Sequence, residues 1–176
     1  EPAAYMYDDG TYLWFRLRLA ADSYSTRGGS PHQWRSFGWG VMFETDFDTT
    51  SVGYDYILYV DGNSDEVTFY QNTTVSTPFY TDTPETFLEL YSAPLATSGA
   101  SGAGNAGYAE ANSDVCGGTT GAVDAFVDWY MPWSDFTAAT GLTSLDDVAI
   151  AFGTSASTRA FSKDVAGCDG TTGCTW

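Results

Sequence analysis

The fold is decided by residues 11–19, which read Thr-Tyr-Leu-Trp-Phe-Arg-Leu-Arg-Leu. Side chains of a β-strand point alternately to its two faces, so one face of this segment is apolar throughout. The members of that face are Leu13, Phe15, Leu17 and Leu19. Because a sheet packs such a row against a core, the segment predicts a strand with one buried face.

The opposite face of the same segment carries Tyr12, Trp14, Arg16 and Arg18. A face turned to water normally carries small polar or charged residues rather than Trp beside two Arg. We therefore expect this face either to be covered by another part of the protein or to bind a ligand.

Further segments show strand-like alternation and are separated by turn residues. Strands are expected at 36–44, 54–60, 66–71, 86–91, 125–131 and 148–153, with weaker candidates near 5–8, 79–81 and 158–165. A short helix is expected after Pro132, with Ser134 as its N-cap and Gly141 at its end. Many short strands of this spacing predict one all-β domain over residues 1–176, an antiparallel, jelly-roll-like β-sandwich with one connecting helix.

The charge balance limits the possible partners. The chain has 23 acidic and 6 basic residues, a formal net charge of −17, and Lys163 as its single lysine. A field of this sign repels phosphate backbones and anionic membranes, so no nucleic-acid partner is expected. No run approaches the ~18 apolar residues of a membrane span, so we also expect no membrane insertion.

The cysteines and the chain start point to a secreted protein. Cys116, Cys168 and Cys174 lie in segments rich in Gly, Thr and Asp, which is typical of an oxidising compartment. Cys168 and Cys174 could close a small ring, and Cys116 could equally pair with either of them. Because the chain begins at Glu1 without Met, it resembles either a mature fragment or a module of a longer chain. We expect a module of a larger secreted or cell-surface chain, with other domains of that chain as partners.

Two acidic segments are candidates for calcium binding, because closely spaced Asp and Asn oxygens suit a hard cation. The candidate ligands are Asp46, Asp48 and Asp55 around the first segment and Asp61, Asn63 and Asp65 in the second. The alternative is that Asp, Gly and Asn simply form hairpin turns, which they favour strongly.

Catalytic chemistry has little support in the sequence. His32 is the only histidine, lies in the polar segment 27–35 that we expect to be a loop, and has no G-x-S-x-G motif nearby. A pair of carboxylates of the glycosidase type stays open, because the sequence does not give their separation. We predict that the protein is not an enzyme.

Aromatic and basic residues provide the stronger functional hypothesis. Trp and Tyr rings can stack on the apolar face of a sugar, while Arg and Asp bind its hydroxyl groups. The candidate ligand-binding residues are Tyr12, Trp14, Arg16, Arg18, Trp34, Arg35, Trp39, Tyr59 and Tyr70. The alternative is structural: the Trp residues fill a second packed face, and the two Arg of residues 11–19 pair with Asp55, Asp128 or Glu89 on neighbouring strands.

Residues 12–18, 43–48 and 54–60 together resemble the group of β-sandwiches formed by DOMON domains and family-9 carbohydrate-binding modules. Segments 127–132 and 152–157 also resemble uncharacterised repeats of large secreted bacterial surface proteins. The resemblance implies an extracellular sandwich that binds sugar or mediates adhesion, sometimes with calcium. The Gly/Ala-rich segment 97–107, expected to be an exposed loop, and the missing haem ligands differ from the haem-binding members.

These observations favour a non-catalytic extracellular domain that recognises a carbohydrate or a cell-surface polymer through exposed Trp, Tyr and Arg. The second hypothesis is a structural or adhesive module without a small ligand of its own. The third is an enzyme that acts on polysaccharides.

Overall fold

A computed structural model describes residues 4–20, 24–27, 30–47, 53–73, 89–94, 106–111, 124–156, 160–161 and 165–166. Within these residues the strands are β1 (Ala4–Asp8), β2 (Tyr12–Leu19), β3 (Tyr24–Arg27), β4 (Ser30–Trp34), β5 (Gly38–Glu44), β6 (Tyr56–Asp61), β7 (Glu66–Gln71), β8 (Glu89–Pro94), β9 (Ala106–Glu110), β10 (Ala125–Pro132) and β11 (Ala149–Ser155). One helix, α1 (Trp133–Thr140), follows β10 directly.

The described strands form two large antiparallel sheets. A four-stranded sheet has the order β1-β2-β10-β9, a five-stranded sheet has the order β11-β5-β6-β7-β8, and β3 and β4 form a separate hairpin. Strand β2 pairs with β1 on one side and with β10 on the other, so the segment that predicted the fold is a central strand. The predicted all-β antiparallel sandwich with one short helix is confirmed.

The main core lies between the two large sheets. Leu13, Phe15 and Leu17 are buried there, as their alternation predicted. Phe15 of the four-stranded sheet meets Phe43 of the five-stranded sheet edge-to-face, with ring centroids 5.8 Å apart. Helix α1 adds Phe136, whose ring centroid lies 5.4 Å from that of Phe43. Aromatic contacts of this kind bury large apolar areas and hold the two layers together.

A second core covers the other face of the five-stranded sheet. Its buried members are Met42, Tyr54, Ile57, Tyr59, Tyr70 and Phe161. Strand β5 is consequently buried at all seven positions. An antiparallel sheet often has one solvent-exposed face, but both faces of this five-stranded sheet are covered.

Several boundaries differ from the sequence predictions. Residues 27–35 are not a loop, because β4 and the last residue of β3 fall within them. Strand β9 begins at Ala106, inside the segment expected to be a loop, and β8 starts three residues later than expected. Of the weak strand candidates, 5–8 is confirmed within β1, 79–81 lies outside the described residues, and 158–165 contributes a bridge between Val165 and Gly153.

Helix α1 ends where the sequence predicted. Gly141 adopts the left-handed conformation, with φ of 78°, and its N–H donates to the Thr137 carbonyl at 2.8 Å. This is the usual role of glycine after a helix. The N-cap is Pro132 rather than Ser134, and no side chain caps this end.

Candidate functional site

The second face of β2 is the solvent side of the four-stranded sheet. Residues paired across neighbouring antiparallel strands point to the same side, so the register defines which side chains share this face. We call it the outer face; its members are Tyr5, Tyr7, Tyr12, Trp14, Arg16, Phe126, Asp128 and Tyr130. It brings together Tyr12, Trp14 and Arg16 from the predicted ligand-binding set.

An aromatic row crosses three strands of the outer face. Tyr7 of β1 lies opposite Trp14 of β2, which lies opposite Tyr130 of β10. The Trp14 and Tyr130 ring centroids are 4.4 Å apart, and Tyr12 meets Tyr130 edge-to-face at 5.1 Å. Neighbouring strands are about 4.8 Å apart, so the row presents closely spaced rings across the sheet.

The turn between β1 and β2 fixes the position of Trp14. The Trp14 Nε1–H donates to Asp9 Oδ2 at 2.8 Å, while Asp9 Oδ1 accepts from the Thr11 and Tyr12 N–H groups, each at 2.8 Å. These bonds, the one from Trp14 first, hold the pKa of Asp9 below its ordinary value. A charged acceptor therefore holds the indole of a partly exposed tryptophan in one orientation.

A polar row runs beside the aromatic row. Tyr5 of β1 lies opposite Arg16, which lies opposite Asp128 of β10. The Arg16 guanidinium makes a bidentate ion pair with Asp128, at 2.5 Å from Nε to Oδ1 and 2.7 Å from Nη2 to Oδ2. It also lies 4.7 Å from the centre of the Phe126 ring. The bond to Asp128 raises the pKa of Arg16, so the guanidinium stays charged.

A groove of about 420 Å³ lies along strands β1 and β2 and reaches Asp128 of β10. Its lining residues are Tyr5, Met6, Tyr7, Trp14, Phe15, Arg16 and Asp128. Pockets of about 300–1,000 Å³ that combine aromatic walls with a few polar groups are typical of small-molecule sites. The groove offers ring faces on one side and an Arg–Asp pair with unused donor and acceptor capacity on the other.

Arg18 is a correction to the predicted ligand-binding set. Its side chain is 6% exposed and its Nε donates to Asp124 Oδ2 at 2.7 Å, with Asp124 fully buried. A charged group this deep is stabilised by its partner and is not available to a ligand. The structural alternative, pairing of these Arg residues with carboxylates, is confirmed for both, although Arg18 uses Asp124 instead of the expected acids.

The remaining aromatic candidates are also corrections. Trp34 and Trp39 are buried in the main core, where their ring centroids lie 5.7 Å apart. Tyr59 and Tyr70 are buried in the second core. Trp39, Tyr59 and Tyr70 are covered because they belong to the five-stranded sheet, whose two faces are both packed. Arg35 is exposed, but its carbonyl lies beside Gly62 of the β6–β7 turn and therefore near the other sheet.

The sequence analysis missed Tyr5, Tyr7 and Tyr130 as members of this face. Each alternates with core-side residues along its own strand, which was a readable signal. Their meeting with Trp14 depends on which strands pair and in which register, and that information is not local in the sequence.

Three carboxylates lie close together where β5 ends and β6 begins. One oxygen from each of Glu44, Asp46 and Asp55 falls within 4.8 Å of the others. Asp55 Oδ2 accepts from the N–H and hydroxyl of Thr45, at 2.8 and 2.5 Å. Glu44 Oε1 accepts from the Phe47 N–H at 2.8 Å.

These three carboxylates have the oxygen chemistry that calcium uses. They include Asp46 and Asp55 of the predicted ligand set and add Glu44, while Asp48 lies outside the described residues. Calcium binding by this chain stays a prediction.

The pH dependence of stability should reveal the ionisation of Glu44. Burial, followed by the nearby Asp55 charge, raises its pKa above the ordinary 4.5. The neutral form of Glu44 therefore contributes fully to the free energy of unfolding below pH 4.5. That contribution is lost as the pH rises through the raised pKa. We expect Glu44→Gln, which keeps an acceptor oxygen but cannot ionise, to gain melting temperature relative to the wild type between about pH 4 and about pH 7.

Thermal unfolding in a chelator, followed by circular dichroism at both pH values, measures this difference. Equal shifts at the two pH values would show that Glu44 ionises without cost in the folded protein. The same unfolding curves recorded with added calcium test the cation prediction, since a ligand that binds only the folded state raises the melting temperature.

The second acidic segment forms the β6–β7 turn. Asp61 Oδ1 accepts from the N–H groups of Asn63 at 2.8 Å and Ser64 at 3.3 Å, and Asp65 adopts a positive φ of 58°. This geometry matches the turn alternative given for these residues. Within the described part of the chain, Asp61 and Asp65 do not join a third acidic residue in a group like that of Glu44.

Comparison of the chain with protein-family models, curated proteins and solved structures finds no match. The resemblance to DOMON domains and family-9 carbohydrate-binding modules therefore stays a prediction. No helix among the described residues has the length and apolar character of a membrane span. Cys116, Cys168 and Cys174 lie outside the described residues, so their pairing stays a prediction.

Proposed function

We propose that this protein is a non-catalytic extracellular recognition domain that binds a carbohydrate on the outer face of its four-stranded sheet. The observation that carries the proposal is the groove in which Tyr7 and Trp14 lie beside the Arg16–Asp128 pair, with Tyr130 next to Trp14 in the aromatic row. The candidate residues that are buried in the two cores take no part in it.

The aromatic row supplies apolar contact. A sugar ring has C–H faces that pack on Tyr and Trp, and these side chains lose little entropy when a ligand orders them. Trp14 is already oriented by Asp9, so part of the ordering cost is met before a ligand binds. A chain of sugars crossing the strands would meet Tyr7 and Trp14 in turn.

The polar row supplies hydroxyl recognition and orientation. Arg16 and Asp128 neutralise each other, yet each side chain stays partly exposed, at 44% and 31%. The guanidinium has donors that Asp128 does not use, and the carboxylate has further lone pairs. This combination favours the many neutral hydroxyl groups of a carbohydrate over a single charged group.

A structural or adhesive module without a small ligand is the second candidate. The pairs Arg16–Asp128 and Arg18–Asp124 both join β2 to the β10 region, and both guanidinium groups approach the Phe126 ring. Such a ladder would stabilise the sheet whether or not a ligand binds. Location outside the cell is part of both candidates and rests on the composition and the resemblance.

A glycan array followed by titration of the strongest glycan tests the proposed function. We expect Tyr7→Ala to weaken glycan binding by about tenfold. The change removes an aromatic ring that is mostly exposed to solvent and that contacts the ligand in the proposed site. Phe37→Ala is the matched control, since Phe37 is also an exposed aromatic but lies outside the outer face. The melting temperatures of both variants should lie within a few degrees of the wild-type value. A difference of that size corresponds to a change of about 1 kcal/mol or less in the free energy of unfolding.

Unchanged affinity of the Tyr7→Ala variant would contradict the proposed site. An array without any specific signal would favour the structural module, and turnover of a polysaccharide would favour an enzyme.

A further inference from the structure

Strand β1 is an edge strand with unusual exposure. Within the described residues it pairs only with β2, so alternate N–H and C=O groups of β1 point away from the sheet. Three consecutive large side chains are exposed along it: Tyr5 at 40%, Met6 at 43% and Tyr7 at 66%. Because successive side chains alternate, both faces of this strand carry accessible apolar surface.

Other sheet edges have features that oppose strand addition. The β7–β8 pairing shifts register between Phe69 and Tyr70, and β8 ends at Pro94. Val165 bridges to Gly153 along the outer side of β11. Strand β9 consists mainly of Ala and Gly. By contrast, β1 holds continuous register with β2 and contains no Lys, Pro or bulge, which are the usual devices that block an edge.

Charge decides which occupant suits this edge. Asp8 and Asp9 are exposed at the end of β1, Arg16 beside it is neutralised by Asp128, and the whole chain has a net charge of −17. A second copy would bring an equal negative charge to the edge. Five paired residues also bury far less than the ~800 Å² per partner of a standard interface. A positively charged strand fits both observations. It is attracted to the negative edge where a second copy would be repelled, and a short peptide segment does not need a large interface.

We propose that the outer edge of β1, which is unpaired among the described strands, binds an extended segment of a basic polypeptide by β-strand addition. Backbone hydrogen bonds to β1 supply the pairing. On the side of Tyr5 and Tyr7 the segment carries Lys or Arg, whose charges meet the tyrosine rings. On the side of Met6 it carries an apolar residue. The pattern is therefore basic-apolar-basic. The pairing uses the backbone edge of β1, whose Tyr5, Met6 and Tyr7 side chains also line the groove of the proposed carbohydrate site.

Fluorescence anisotropy with a labelled hexapeptide of alternating Lys and Val tests this proposal. The matched probe has the same side chains with alternate backbone amides methylated, which removes strand pairing and keeps the charge. We expect saturable binding of the first peptide, weakened at least about tenfold by methylation and weakened further by salt. Met6→Lys should also weaken binding, whereas Phe37→Lys, with the same charge change at an exposed site elsewhere, should retain most of it.

Equal binding of the methylated peptide would show that charge alone acts and would overturn the proposal. Absence of saturable binding would overturn it as well. Sedimentation of the wild type that showed dimers, lost in Met6→Lys, would assign the edge to a second copy instead. A silent glycan array has no bearing on these outcomes, because the peptide assay contains no glycan and its methylated probe reports on backbone pairing alone.

Discussion

Replacement of Asp124 by alanine is expected to lower the free energy of unfolding by about 3–5 kcal/mol. The Arg18–Asp124 pair is almost completely buried, with side chains 6% and 0% exposed. Removing the carboxylate takes away the charge that lies 2.7 Å from the Arg18 Nε and offsets desolvation of the guanidinium. Urea unfolding followed by circular dichroism measures the loss, and an unchanged slope would show that the transition stays comparable.

The Arg16–Asp128 pair is the matched control for this prediction. It also joins an Arg of β2 to an Asp in the β10 region, but its side chains are about one-third to one-half exposed. Water and salt screen it, so Asp128→Ala should cost less than about 1 kcal/mol. A combined Arg18→Met and Asp124→Leu variant should recover much of the loss, since apolar residues can replace a buried ion pair. Similar costs at Asp124 and Asp128 would contradict the account of the two pairs.

Replacement of Gly38 by alanine is expected to destabilise the protein by about 3 kcal/mol through overpacking. A methyl group on Gly38 would lie 1.4 Å from Tyr59 Oη and 1.8 Å from Tyr59 Cζ. Tyr59 is buried in the second core and cannot swing into solvent without exposing that core. The missing side chains at Gly38 and Gly40 therefore create the space in which the Tyr59 ring lies.

Gly107 provides the control for Gly38. It also lies within a strand, but an added methyl group there would meet no atom within 4 Å. Gly107→Ala should change stability by less than about 1 kcal/mol. In a double-mutant cycle, Gly38→Ala combined with Tyr59→Leu should cost less than the sum of the two single changes, because the shorter side chain vacates the space. Additive costs would show that the clash with Tyr59 is not the cause.

The sequence predicted the central strand well because its information is local. The alternation in residues 11–19 identified the core row of Leu13, Phe15 and Leu17 without knowledge of any neighbour. The same alternation marked Trp14 and Arg16 as an unusual outward pair, and both lie in the groove. Periodicity alone was sufficient to predict which side chains of this single strand face the core and which face outward.

The prediction was wrong where a distant segment decided burial. Tyr59 and Tyr70 were expected to bind ligand, but Phe161 packs with them in a second core. The nearly continuous apolar run of β6 was the available signal, since strands buried on both faces lack polar alternation. Tyr5 and Tyr7 were missed as site residues for the opposite reason: their role depends on pairing with β2, which the sequence does not encode locally.

The most direct test of the account is an NMR titration of the protein with the strongest glycan from the array, followed through the tryptophan indole N–H signals. Trp14 is assigned by the signal that disappears in Trp14→Phe. We expect the Trp14 signal to shift with the glycan, while the signals of the buried Trp34, Trp39 and Trp129 stay in place. A bound glycan that leaves the Trp14 signal unmoved would contradict the assignment of the recognition site to the outer face.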